Sequence, residues 1–394
     1  MSRIVINPYR VPRPMISRVI DTVFRSQSIP AVHRSLPEYA PTPLVSLPSL
    51  AARLGIGRLL VKDESYRFGL AAFKALGSTY AVYRLVCGWE TESGRPEPRP
   101  ETFYSEEPVL SPGTVTLCTA TDGNHGRGVA WTARKLQQNA VIYMPANTVP
   151  ARIASIRREG AEVVVVNGNY DNAVTRAAHD AAANGWHVIS DTSWEGYENI
   201  PRHIMAGYTT TFAEIDEQLS PDDRLDVVLV QGGVGALAAA ASWYYRRSDA
   251  TRRPHLISVE PDDADCLLES IRSGDGKPVT TTGNTDSIMA GLNCGTPSPT
   301  AWPLIRDGFD VFMSLDDDAC RRAVRMYHTP LGDDFPIASG ESGAAGLAGL
   351  VVLAGESVGQ GMRERIGLTP DRTVLVLNTE GVTDPVSHRT IVGG

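Results

Sequence analysis

The stretch Thr114-Val-Thr-Leu-Cys-Thr-Ala-Thr-Asp-Gly-Asn-His-Gly-Arg-Gly-Val-Ala-Trp131 decides how the chain is read, because a short β-branched run breaks at a glycine turn and resumes with helical periodicity. That alternation marks a βαβ unit in a mainly parallel sheet. The pattern extends outward on both sides of the turn. Residues 114–118 read as a strand, 126–138 as a helix, 140–144 as a strand and 151–159 as a helix. A strand at 161–166, a helix at 171–184 and a strand at 187–190 complete the series. A second series begins with a strand at 225–230, passes a glycine turn into a helix at 236–245, and adds a strand at 255–259 and a closing strand at 373–377. The expected fold class is α/β, with two lobes each built on a mainly parallel sheet flanked by helices and a changeover near residues 191–208. The Pro-, Glu- and Ser-rich segment 88–113 reads as an exposed connection.

Composition agrees and narrows the function. A chain of 394 residues exceeds the size at which one core usually keeps growing, so two domains are expected. With 42% apolar and 21% charged residues, and no long uninterrupted apolar run, the chain reads as globular with no membrane partner. A net charge of -8 without a basic cluster argues against a nucleic-acid partner, leaving a small molecule. Residues 1–22 lack the apolar core and cleavage site of a signal peptide, so a cytoplasmic location is expected. The five cysteines, Cys87, Cys118, Cys266, Cys294 and Cys320, are odd in number and lack C-x-x-C spacing, which suits reduced, packed thiols and no metal site.

Three segments carry chemistry. In Phe68-Gly-Leu-Ala-Ala-Phe-Lys-Ala-Leu-Gly-Ser-Thr79, Lys74 lies among small and apolar residues, with no acid in the eight positions after it. A lysine buried in this way tends to lose its proton, and a neutral amine forms imines with aldehydes. The plainer alternative is a surface lysine at a helix start, its stem lying over apolar neighbours.

The second segment is Thr119-Ala-Thr-Asp-Gly-Asn-His-Gly126, at a strand-to-helix turn where α/β sheets bind ligands. Asn124 suits a phenolic oxygen, Asp122 proton transfer, and the helix start a carboxylate. An Asp-Gly turn with a helix cap is the alternative. The third is Val228-Leu-Val-Gln-Gly-Gly-Val-Gly-Ala-Leu237, a strand opening through glycines into a helix, which forms a nest of N–H groups for phosphate. Gly233-x-Gly235-x-x-Ala238 followed by Glu260 also imitates a dinucleotide fingerprint, so a nicotinamide-dependent oxidoreductase is the rival. In that enzyme Lys74 and the Asp-Gly-Asn-His-Gly turn would have no task. Asp191 and Thr379 stand just past two strand ends. Asp191 suits a substrate ammonium and Thr379 a pyridine nitrogen, against a helix cap and a turn former as alternatives.

Together these segments resemble the fold type II pyridoxal-phosphate (PLP) enzymes, the tryptophan synthase β and threonine dehydratase group, and within it the diaminopropionate ammonia-lyases. The resemblance rests on Lys62-Asp-Glu-Ser-Tyr-Arg-Phe-Gly-Leu70, Thr121-Asp-Gly-Asn-His-Gly-Arg-Gly-Val-Ala-Trp131, Asn139-Ala-Val-Ile-Tyr-Met-Pro145, Asp191-Thr-Ser-Trp-Glu-Gly-Tyr197, Ile288-Met-Ala-Gly-Leu292 and Ser339-Gly-Glu-Ser-Gly343. It implies that Lys74 is the Schiff-base lysine, that Asn124 contacts the cofactor ring, that Gly232, Gly233, Val234 and Gly235 line its phosphate, and that Thr379 faces its ring nitrogen. Asp122, where most type II relatives carry serine, becomes a catalytic carboxylate. Asp191, Thr121 and His125 become substrate-side residues.

The implied reaction eliminates the β-amino group of 2,3-diaminopropionate to give pyruvate and two ammonia, in a homodimer. Residues 1–75 plus 207–394 would form the PLP-binding domain, and 76–206 the substrate-side domain. A serine or threonine dehydratase and a β-replacement synthase are the neighbouring alternatives. Cys266 and Cys294 fall where some members place a pair able to form a disulfide. Departures are Ala71 in place of an expected asparagine, Ala146-Asn147 in place of lysine-glycine, and Asn378 and Val382 around the last motif.

Overall fold

The computed structural model describes residues 3–105, 109–121, 123–168, 170–355 and 360–393. The strands are β1 (Arg3–Ile6), β2 (Leu44–Ser46), β3 (Arg58–Asp63), β4 (Thr116–Ala120), β5 (Asn139–Pro145), β6 (Glu162–Val166), β7 (His187–Val188), β8 (Val227–Gln231), β9 (His255–Pro261), β10 (Val311–Leu315) and β11 (Thr373–Asn378). The helices that matter below are α1 (Ala75–Glu92), α2 (Asn124–Lys135), α3 (Pro150–Arg158), α4 (Tyr170–Asn184), α5 (Asn199–Gln218), α6 (Ala236–Arg246), α7 (Cys266–Arg272) and α8 (Glu341–Ala354). The chain divides into a larger unit, Met1–Asp21, Pro41–Tyr66 and Thr211–Gly394, and a smaller unit, Thr22–Ala40 and Arg67–Thr210.

The larger unit holds a seven-stranded sheet in the order β1-β10-β9-β8-β11-β3-β2. Its five inner strands pair in parallel, and only the edge strands β1 and β2 run antiparallel. Every residue of β8 and β11 is buried, which is why Val-Val-Leu-Val and Thr-Val-Leu-Val-Leu read as unbroken apolar runs. Each such Val or Leu contributes about 1.5–3 kcal/mol by leaving water. The smaller unit holds a four-stranded parallel sheet, β6-β5-β4-β7, in which β6 is partly exposed. Two lobes with mainly parallel sheets bear out the expected fold class.

Two expectations need correction. The segment 88–113 is not an exposed connection throughout: α1 runs on to Glu92, and Phe103 and Tyr104 are buried at 1% and 4% exposure. The Phe103 ring meets Tyr83 edge-on at 5.0 Å, and the Tyr104 hydroxyl donates to the Thr79 carbonyl at 2.8 Å, so the segment is pinned against α1. The periodicity also missed β1, β2, β3 and β10, so the larger sheet draws strands from both ends of the chain. Among the described residues no helix is long and apolar enough to cross a membrane.

Candidate active site

In the smaller unit Lys74 immediately precedes α1, at the end of a tightly tethered loop. Phe68, Gly69 and Ala71 all have left-handed backbones, with φ of 51°, 69° and 54°. Asparagine tolerates that conformation better than alanine, so Ala71 occupies a position whose geometry suits the expected residue more than the actual one. The loop is held because the Phe68 ring stacks on Trp131 at 5.0 Å and the Arg127 guanidinium donates to the Leu70 carbonyl at 2.9 Å. Arg127 is itself fixed by Glu159, 3.0 Å away.

α2 lies close against the start of α1 because it carries Gly128, where a Cβ would fall 3.1 Å from the Ala75 nitrogen. Ser78 and Thr132 then join hydroxyls at 2.9 Å across the contact. This packing sets Lys74 beside the first turn of α2.

The Lys74 ammonium donates to Asp191 Oδ2 at 2.6 Å. The acid absent from the residues following the lysine thus arrives from the loop after β7. Burial alone would push the Asp191 carboxyl up, but Lys74, His125 and the hydrogen bond together hold it well below the usual carboxylate range. Tyr197, in the same loop, braces the strand end: its hydroxyl donates to the Val188 carbonyl at 2.8 Å and accepts from the Ser190 N–H at 2.9 Å.

His125 is 5% exposed, with Nε2 2.7 Å from the Ile189 carbonyl and Nδ1 3.9 Å from Asp191 Oδ2. Burial, with Lys74 adding to it, lowers the imidazole below its ordinary value although Asp191 and the Ile189 carbonyl pull the other way. The Thr121 hydroxyl accepts from the N–H groups of Gly123 and Gly126 at 3.0 and 3.1 Å, so it shapes the entry into α2. Asn124 is the first residue of α2. Asp122 lies outside the described residues.

Sequence reasoning did not single out Tyr208 on α5. It is fully buried, its ring packs 4.7 Å from Phe73, and among the described residues its hydroxyl has no hydrogen-bond partner. The Ala-Gly-Tyr context of residues 206–208 carries no signal that could have marked it.

In the larger unit, β8 ends at Gln231 and Gly232-Gly233-Val234-Gly235 leads into α6. Gly235 has φ of +98°, and a Cβ there would lie 2.4 Å from Ile305 Cδ1. A Cβ on Gly232 would lie 2.7 Å from Glu260 Cγ, and one on Gly233 3.2 Å from Cys294 Sγ. Only glycine fits this turn without displacing its surroundings. Among the described residues no group accepts from the N–H groups of Gly233, Val234 or Gly235, and Gln231 Oε1 and the Ser258 hydroxyl beside the turn are also without partners there.

Thr379 follows β11, and its hydroxyl lies 3.4 Å from the Ser342 carbonyl. Ser339-Gly-Glu-Ser-Gly343 packs closely on that strand end: a Cβ at Gly343 would lie 2.3 Å from Asn378 Oδ1, while the Ser342 hydroxyl accepts from the Gly291 N–H at 3.0 Å. Asn378, one of the departures, is therefore a hub, donating to Asp63 at 2.7 Å and accepting from Ser339 at 2.8 Å. None of the five cysteines is joined in a disulfide among the described residues, and Cys266 reaches the Gly233 carbonyl at 3.6 Å.

These residues fit PLP. An amine stands beside a carboxylate at the start of α1, and unpartnered backbone N–H groups gather where α6 begins, as a phosphate requires. The nicotinamide reading loses its anchor. Glu260 is fully buried and accepts from the N–H groups of Leu267 and Leu268 at 2.8 and 2.9 Å, capping α7, so neither oxygen is left for a ribose.

Comparison with known proteins agrees. The family described as pyridoxal-phosphate dependent enzyme matches residues 36–378. Diaminopropionate ammonia-lyase of Escherichia coli (strain K12) is 41% identical over 369 residues, covering 91% of this chain and 89% of the relative. The holo crystal structure of the Escherichia coli diaminopropionate ammonia-lyase superposes with a TM-score of 0.89 at 38% identity, covering 100% of this chain and 96% of that one. The same enzyme in complex with an aminoacrylate-PLP azomethine reaction intermediate gives a TM-score of 0.87 at 39% identity, covering 100% and 97%.

Proposed function

Since the chain belongs to the pyridoxal-phosphate dependent enzymes, and within them to the diaminopropionate ammonia-lyase family, we propose that it converts 2,3-diaminopropionate to pyruvate and two ammonia through the residues described above. The observation that carries this reading is the Lys74–Asp191 pair at 2.6 Å, an amine and a carboxylate held together beside α2. When bound, the cofactor supplies an electron sink for the charge left at the substrate's α-carbon.

Lys74 is the point of covalent attachment and, once released, the base that takes the α-proton of the L isomer. Asp122 is the base for the D isomer. An amine departs readily only as the ammonium, so Asp191 receives the charged β-amine, with Thr121 and His125 completing the substrate side. Gly232, Gly233, Val234 and Gly235 bind the phosphate through backbone N–H groups, Asn124 the phenolic oxygen and Thr379 the ring nitrogen. The first ammonia leaves with aminoacrylate, which water converts to pyruvate and the second ammonia. A cytoplasmic homodimer is part of the same proposal.

The test is release of pyruvate and ammonia by the PLP-loaded protein from L- and D-2,3-diaminopropionate, measured beside L- and D-serine and L-threonine. Release from diaminopropionate well above the others is expected, and Asp122→Asn should abolish turnover of the D isomer while sparing the L. Preference for serine or threonine would instead make the protein a dehydratase.

A further inference from the structure

His125 makes one hydrogen bond that fixes its chemistry. Nε2 lies 2.7 Å from the Ile189 carbonyl, an acceptor, so Nε2 carries the proton and the neutral ring leaves Nδ1 as a bare lone pair. That Nδ1 is buried and among the described residues has no hydrogen-bond partner, while the carboxylate oxygen Asp191 Oδ2 lies 3.9 Å away. A lone pair facing a carboxylate is satisfied only by a group that donates to both. At present the cation on Asp191 is the Lys74 ammonium, at 2.6 Å. When the Lys74 nitrogen is engaged by the cofactor, or is released as the neutral amine that serves as base, it brings no cation to Asp191 and the smaller unit retains two buried acceptors facing one another. A buried carboxylate without a cation is costly, and a neutral imidazole cannot supply one.

We infer that His125 Nδ1 and Asp191 form a two-acceptor clamp for the substrate's β-ammonium, and that His125 thereby selects a charged β-amine over a β-hydroxyl. This rests on the proposed reaction and deepens it. The α-nitrogen of the substrate goes to the cofactor, so the β-nitrogen is the ammonium that remains. Its three N–H donors serve both acceptors at once. A serine hydroxyl has one proton, so it satisfies one acceptor and turns an oxygen lone pair toward the other.

His125→Gln separates this role from a structural one, because the glutamine amide can still donate to the Ile189 carbonyl but has no acceptor where Nδ1 stands. In the cofactor-loaded protein the variant is expected to lower kcat/KM for diaminopropionate about ten- to hundredfold, the range for one buried donor left unsatisfied. The affinity for serine, read as an inhibition constant, should stay within about threefold of wild type on the same argument. Nitrogen-15 spectra of histidine-labelled wild-type protein supply a readout independent of turnover: the resonance that vanishes in His125→Gln should report a neutral ring with the proton on Nε2.

Equal losses for both ligands, as a buried water on Nδ1 would produce, overturn the inference, and so does a proton found on Nδ1. A wild-type protein inert toward diaminopropionate overturns the reaction assignment and this inference with it. An active wild type whose variant loses no selectivity overturns this inference alone.

Discussion

The smaller and the larger unit equip themselves for chemistry in different ways. The smaller unit brings ionisable side chains together: Lys74 from the start of α1, His125 from α2 and Asp191 from the loop after β7. Their distances of 2.6 and 3.9 Å arise from three separate elements, α1 and α2 packed by Gly128 and the Ser78–Thr132 contact and the loop tied to α2 by the His125–Ile189 hydrogen bond. The larger unit offers backbone instead, a strand end and a glycine turn whose shape is set by Ile305, Glu260 and Cys294 crowding the missing side chains. Proton transfer needs groups whose charge can change, while phosphate binding needs donors that never lose their proton. Substitutions of the smaller unit's ionisable side chains should therefore act first on turnover, and those in the larger unit's glycine turn on cofactor retention.

The largest effect expected under that division is from Lys74→Ala. Turnover should fall by about 10⁴-fold. Borohydride, which should fix the cofactor to the Lys74 peptide in wild type, should fix none in the variant. Retained turnover would remove Lys74 from the chemistry and break the comparison at its centre.

Gly235→Ala comes next, since it combines a φ of +98° with a methyl 2.4 Å from Ile305 Cδ1. A loss of about 2–4 kcal/mol in urea unfolding is expected from strain and overpacking together. Cofactor affinity should fall, while the rate at saturating cofactor stays near wild type. A variant that holds PLP normally but turns over slowly would show that the turn serves chemistry and not retention.

The smallest effect concerns pH and the histidines that the smaller unit buries. Burial, with Arg84 and Arg202 adding to it, pushes His203 down to about 4. Between about 6.5 and 4 the unfolded chain takes up a proton there that the folded chain refuses, so stability falls as pH is lowered through that window. The contribution is at most about 3 kcal/mol. Thermal midpoints of wild type should decline across this range, and those of His203→Gln should decline less. Parallel slopes would show that His203 is protonated without cost.

The alternating pattern from residue 114 onward made the fold legible, because inner strands of a parallel sheet are apolar on both faces and glycines must stand where a strand turns into a phosphate-binding helix. The edge strands β1 and β2 were not legible, being short and partly exposed. Nor was the burial of Phe103 and Tyr104, since their neighbours are polar and their partners Tyr83 and Thr79 lie some twenty residues away. Lys74 stood out by its apolar neighbourhood, yet the same neighbourhood suggested a lysine without an acid, which Asp191 corrects.

The sequence by itself determined the class of fold, the glycine turn at residues 232–235 and the lysine that invites an aldehyde cofactor, since local periodicity, missing Cβ atoms and residue type are properties of neighbours along the chain. Tertiary structure alone decided that Asp191 meets Lys74 across 117 positions, that Ile189 fixes which His125 nitrogen carries the proton, and that Glu260 is consumed in capping α7. Each of these depends on a distance of a few ångströms between residues far apart in the chain, and such distances are set only when helices and sheets pack.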